Sequence, residues 1–102
     1  STPAEVLDTF VHSCRRDRLE LERLLHGMDT MGMERMIHRL LPLWEMLGAD
    51  GPLLELGVIL RVGGTEEMTR AAATRVLELM ERFSAQAEKL KGRAKHERNT
   101  DC

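Results

Sequence analysis

Met33-Glu34-Arg35-Met36-Ile37-His38-Arg39-Leu40-Leu41-Pro42-Leu43-Trp44-Glu45-Met46-Leu47-Gly48-Ala49-Asp50-Gly51-Pro52 is the stretch on which the fold turns. Advanced at about 100° per residue, Met33, Met36, Ile37, Leu40, Leu43, Trp44 and Leu47 fall in one broad stripe, the pattern of a helix with one face turned into a core. The last five residues then hold a helix stop and a helix start. Gly48 suits the position just past a C-terminus, where the backbone turns left-handed, and Pro52 suits a first turn, where an amide proton is not needed.

Outward from this hairpin the same logic repeats. Between Ala4 and Met28 the residues Val6, Leu7, Phe10, Cys14, Leu21, Leu24, Leu25 and Met28 recur at helical spacing among charged neighbours, predicting one long amphipathic helix. Ser1 or Thr2 is its candidate cap, Pro3 fits its first turn, and Gly27 is placed for its left-handed end. Asp29, Thr30 and Gly32 break the pattern, and Asp29 or Thr30 caps the second helix, from about Met31 to Leu47. A third helix from about Pro52 to Val62 is so continuously apolar that burial on more than one side is expected. Gly63-Gly64 ends it. Thr65 caps a fourth helix from about Glu66 to Leu90, with Glu66 and Glu67 near its positive end and a core face of Met68, Ala72, Val76, Leu79, Phe83, Ala87 and Leu90. Residues 92–102 carry almost nothing to bury and read as a frayed or disordered polar tail, which leaves residues 1–91 as the domain. Four amphipathic helices with short connections predict an all-α, antiparallel up-down-up-down four-helix bundle. No segment alternates long enough to compete as a strand, and no internal repeat is present.

Composition agrees. The chain has 102 residues, 42% hydrophobic and 31% charged, which suits one small domain and not two independent cores. Aromatic residues make up only 3%, and Leu, Met, Ala, Glu and Arg dominate, which is helix composition. A net charge of -2 gives no general attraction to nucleic acid or to an anionic membrane. No apolar run is long enough for a membrane span, no signal-peptide pattern is present, and Cys14 and Cys102 form no disulfide framework, so a cytoplasmic location is expected, with any larger parent chain free to be membrane-anchored.

His38 lies roughly 150° from the middle of the second helix's apolar stripe and is therefore expected to face solvent. Leu41 and Pro42 follow it at i+3 and i+4, on the side where a solvated helix is normally polar, and an exposed apolar patch suggests a docking surface. Pro42 also withholds the amide that would bond to the His38 carbonyl, so a bend or loosening is expected one turn beyond the histidine.

The run from His38 to Ala49 resembles the phosphoacceptor segment of histidine-containing phosphotransfer (HPt) domains, in which a His and a Leu two residues later precede a Leu-Gly pair. The layout around it is similar too. Phe10 near the start of the first helix, the Arg18 to Leu25 run, the short linker before the histidine helix and the two helices after it extend the resemblance over about Ala4 to Lys91. The family usually has Lys three residues after the His and a small residue, commonly Gly, four after it; here Leu41 and Pro42 stand in those places. A Leu-Leu-Pro sequence after the His is similar to HPt modules of some hybrid sensor kinases of Bacteroides-type bacteria.

The resemblance implies that His38 is the phosphoacceptor. It also implies a docking and phosphoryl-stabilising surface that takes in Glu34, Arg35, Arg39, Leu41, Pro42 and Glu45, with Arg35 better directed than Arg39, which projects about 100° away from His38. The implied partners are response-regulator receiver domains, which hold the acidic pocket and divalent cation, so no cofactor is expected in this chain, and the isolated module is expected to be a monomer. It would be a phosphocarrier and not itself a catalyst, within a parent chain that is a hybrid sensor histidine kinase. The chemistry asks little of the chain: an exposed imidazole is largely neutral at cytoplasmic pH and keeps a lone pair for attack on phosphorus.

Other features are weaker. His12, His26 and His96 have no metal-ligand spacing, and Met33, Met36 and Met68 read as core packing. The Arg15-Arg16-Asp17-Arg18 cluster reads as a solvated face, and Gly63-Gly64-Thr65 as a turn and cap and not a phosphate loop. Two further functions compete with phosphotransfer: a non-phosphorylated helical adaptor that binds receiver domains, and a helical secretion or assembly chaperone.

Overall fold

The computed structural model describes the backbone of residues 1–100 and the side chains of residues 1–96. It contains four helices, α1 (Pro3–His26), α2 (Thr30–Met46), α3 (Gly51–Arg61) and α4 (Glu66–Thr100), and no strand among the described residues. The protein is an all-α four-helix bundle.

Three of the four helices start where a side chain satisfies an unpaired amide. At α1, Glu5 N donates to Thr2 Oγ1 at 3.1 Å and Thr2 N donates to Glu5 Oε1 at 3.2 Å, a reciprocal capping box. Asp29 caps α2 by accepting from Gly32 N at 2.9 Å, and Thr65 caps α4 by accepting from Met68 N at 3.1 Å. At α3, Asp50 makes no side-chain cap and Pro52 in the first turn removes one amide that would need a partner.

The first three helices end alike. Asp29 N donates to Leu24 O, Ala49 N to Trp44 O and Gly64 N to Ile59 O, each at 2.9 Å, closing a Schellman turn around one left-handed residue. That residue is Gly48 (φ 69°) after α2 and Gly63 (φ 68°) after α3. After α1 it is Met28 (φ 49°), not Gly27, because the turn places its left-handed position one residue later than the glycine.

The chain packs as two units. Residues 20–78 contain segments of all four helices, and their core is built from Leu21 and Leu24 of α1, Met33, Met36, Ile37, Leu40 and Trp44 of α2, Leu53 and Leu56 of α3, and Ala72, Ala73 and Val76 of α4. In the other unit, residues 1–19 pair with the part of α4 from Leu79 onward. Lys91 Nζ lies 2.8 Å from Asp8 Oδ1, Arg15 Nη2 3.3 Å from Glu88 Oε1, and Arg18 Nη1 3.7 Å from Glu81 Oε1, so the two helices run antiparallel there. Phe10 and Phe83 meet between them with ring centroids 6.2 Å apart.

Several expectations are corrected. The buried face of α4 includes Thr69, Ala73 and Met80, whereas Met68 and Leu90 are exposed. Small side chains and a Thr69 hydroxyl satisfied by donating to Thr65 O are easily buried, so size and hydrogen bonding outweigh hydropathy in setting that face. In α2, Gly32 is buried inside the helix, and Leu43 and Leu47 are exposed, which narrows the stripe. Asp17 is 6% exposed and does not belong to a solvated face. α3 is not buried on several sides: Leu54, Val58 and Val62, spaced four apart, are 44%, 49% and 71% exposed. Finally, α4 continues past Leu90 to Thr100, so the polar segment from Gly92 is helical there and not a frayed coil; its Lys, Arg, Ala and Glu residues favour helix without help from a core. The remainder of that predicted tail, Asp101 and Cys102, lies outside the described residues.

Candidate functional site

His38 projects from the middle of α2 and is exposed, while Ile37, Leu40 and Met36 beside it are buried. Core packing therefore fixes the backbone that carries the imidazole and leaves the ring in water. The ring forms no hydrogen bond or ion pair among the described residues. α2 remains helical through Pro42 to Met46, and Pro42 is exposed one turn beyond the histidine.

A groove of about 90 Å³ opens between α2 and α3 beside His38. From α2 it is lined by Glu34, Ile37, His38 and Leu41, at successive turns of one face. From α3 it is lined by Leu53, Leu54, Gly57 and Arg61. Leu41 is half-buried there. Gly57 is buried, and a β-carbon built on it would lie 3.9 Å from Arg61 Nη1 and 4.0 Å from Ile37 Cδ1, ordinary contact distances. Of the residues expected to surround His38, Glu34 and Leu41 share this groove.

Arg35 and Arg39 do not line that groove. They line a separate cavity of about 250 Å³ with Glu20, Arg23 and Leu24 of α1 and with Asp29 and Gly32. Arg23 donates to both Glu20 carboxylate oxygens at 3.0 and 2.7 Å, and these bonds, with the charge of Arg39 also nearby, hold the Glu20 carboxyl below the usual carboxylate range. Two cations expected near His38 are thus placed beside acids on another side of α2. Pro42 and Glu45 are exposed and line neither cavity.

Arg61 and Gly57 escaped the sequence reading. Periodicity within a helix shows which residues share a face, but not which turn of a neighbouring helix stands opposite, so nothing in the sequence placed Arg61 beside His38. The exposed apolar residues Leu54, Val58 and Val62 follow one another at four-residue spacing along and just past α3.

Among the described residues no three His, Cys, Asp or Glu side chains gather as a metal site requires, and no helix is long and apolar enough to cross a membrane. Cys14 is buried, and burial pushes its thiol above the ordinary value, away from nucleophilic use. No family model, curated protein or solved structure matches the chain.

Proposed function

We propose that this chain is the histidine phosphotransfer module of a two-component phosphorelay, accepting a phosphoryl group from a receiver-domain aspartyl phosphate on His38 and passing it to another. The observation that carries the reading is the setting of His38: an exposed imidazole with no hydrogen bond or ion pair among the described residues, on a helix held rigid by its buried neighbours, beside an open groove that the exposed Leu54 also lines. A carrier needs a nucleophile that a second protein can reach and little else, since the receiver supplies the acidic pocket and the divalent cation. The resemblance of the His38 to Ala49 run to HPt domains supports the same reading. On it the chain is a cytoplasmic module, monomeric in isolation, of a hybrid sensor kinase.

One observation favours the adaptor instead. Leu41 and Pro42 stand where HPt domains usually have Lys and Gly, and Arg35 and Arg39 line a different cavity, so no cation on α2 shares the groove with His38. Transfer of labelled phosphate from a panel of phosphorylated receiver domains separates the two. Acid-labile label on the parent chain, absent from His38→Gln with its helical content unchanged, supports phosphotransfer. Receiver binding without label on either protein refutes it in favour of the adaptor, and binding to a helical client with neither label nor receiver affinity would indicate a chaperone.

A further inference from the structure

We infer that Arg61 of α3 is the cation that holds a phosphoryl group on His38, across the groove and from a different helix. This inference rests on the phosphotransfer reading. The chemistry creates a demand for such a cation. A lone pair on the unprotonated ring nitrogen of His38 forms the N–P bond while the O–P bond to the donor aspartyl carboxylate breaks, its electron pair leaving on the carboxylate oxygen. The proton on the other ring nitrogen stays in place until water takes it. His38 then bears a phosphoryl group with a charge approaching -2.

Glu34 lines the same groove one turn before His38, and its carboxylate repels that charge. Leu41 brings none to offset it. Arg35 and Arg39 line the other cavity with Glu20 and Asp29. Arg61 is the cationic side chain in the groove, it forms no ion pair or hydrogen bond among the described residues, and it is exposed on the lip. Its planar fork of donors suits phosphoryl oxygens.

Gly57, one turn before Arg61, strengthens the assignment. A glycine in mid-helix costs stability relative to alanine, and here a methyl group would meet nothing closer than 3.9 Å. Packing does not require the glycine. The groove that it lines, of about 90 Å³, has room for several water-sized groups and therefore for three phosphoryl oxygens.

The test loads the histidine without any receiver. In a chain with His12, His26 and His96 replaced by Gln, phosphoramidate places the phosphoryl group on His38, and ³¹P NMR at one fixed, mildly alkaline pH follows the chemical shift of that group and the rate at which hydrolysis removes it. The full chain is compared with Arg61→Gln and Arg61→Lys, each checked for unchanged helical content. With Arg61 opposite, the dianion is paired, so its resonance moves on Arg61→Gln and the label on the parent outlasts that on Arg61→Gln by about threefold, a difference in keeping with an exposed ion pair, and Arg61→Lys restores most of it. Coincident resonances and decay rates for the parent and Arg61→Gln would overturn the assignment. Because this loading needs no receiver, failure of every receiver to label His38 would remove the phosphorelay reading separately and leave the role of Arg61 as measured.

Discussion

Gly32 seats the first turn of the helix that carries His38, and replacing it with alanine tests that seat. A β-carbon there would stand 2.5 Å from Leu24 Cδ2 and 2.7 Å from Asp29 Oδ2. Asp29 is exposed and can swing away, but doing so breaks its cap on Gly32 N, worth about 1 kcal/mol. Leu24 is 3% exposed and can only repack within the core, at about 1–2 kcal/mol for an overpacked site. Against these, alanine gains about 1 kcal/mol of helix propensity over glycine. The net expectation for Gly32→Ala is a loss of about 1–2 kcal/mol, measured by urea denaturation with an unchanged m value. The cap component can be isolated by a double-mutant cycle: in an Asp29→Ala background the cap is already absent, so Gly32→Ala should cost about 1 kcal/mol less. A neutral or stabilising Gly32→Ala, or strict additivity with Asp29→Ala, would refute the reasoning.

Two further outcomes follow from the same structure. Gly48→Ala, at φ 69° with nothing within 4 Å of the new methyl, is a purely conformational change and should cost about 1 kcal/mol, whereas Gly57→Ala, in an ordinary helix position, should gain about that much; denaturation midpoints moving in the same direction would contradict this. The hydrogen bond from Lys91 lowers the pKa of Asp8, and the same bond raises that of Lys91. A lowered Asp contributes stability that is present above its unfolded value, about pH 4, and is lost as pH falls through the lower folded value. A raised Lys contributes stability that is present below its unfolded value, about 10.4, and is lost as pH rises through the higher folded one. Asp8→Asn should therefore lower the melting temperature at pH 7 and converge with the parent as pH falls through the lowered value of Asp8; a difference that persists unchanged once the carboxylate is protonated would show that the ion pair is not its cause.

The helices, their caps and their order were legible because those signals are local. Thr2, Asp29, Thr65, Gly48 and Gly63 each act within a few residues, through hydrogen bonds or backbone angles that no distant packing overrides. The exposure of His38 was legible for a related reason: the dense stripe of Met33, Met36, Ile37, Leu40 and Trp44 leaves the opposite side of α2 to solvent. Less local facts were harder to read. Thr69 and Ala73 are poor hydrophobic signals, yet their small size and, for Thr69, a bonded hydroxyl let them line a buried face that Met68 was expected to occupy. The apolar run of α3 looks like core because hydropathy alone cannot distinguish a buried residue from an exposed one, and which residue of α3 shares the groove with His38 depends on how α2 and α3 are aligned.

That alignment changes how the departures from the HPt pattern are to be read. Leu41, half-buried in the groove, contributes apolar wall at the place where HPt domains usually carry a charge three residues after the histidine. If charge were needed only on α2, the histidine would be poorly supported. But a phosphoryl group senses distance and geometry, not chain connectivity, and Arg61 enters the same groove from α3. On the proposed function the two helices divide the work: α2 holds the nucleophile on a backbone fixed by buried neighbours, and α3 offers Arg61 together with the exposed stripe of Leu54, Val58 and Val62. Leaving three such side chains in water forgoes burial energy that a polar replacement would not have risked, and a docking partner that covers them recovers it. His38, Arg61 and Leu54 thus line one groove, and on the proposed function a leucine at the usual lysine position does not by itself argue against transfer.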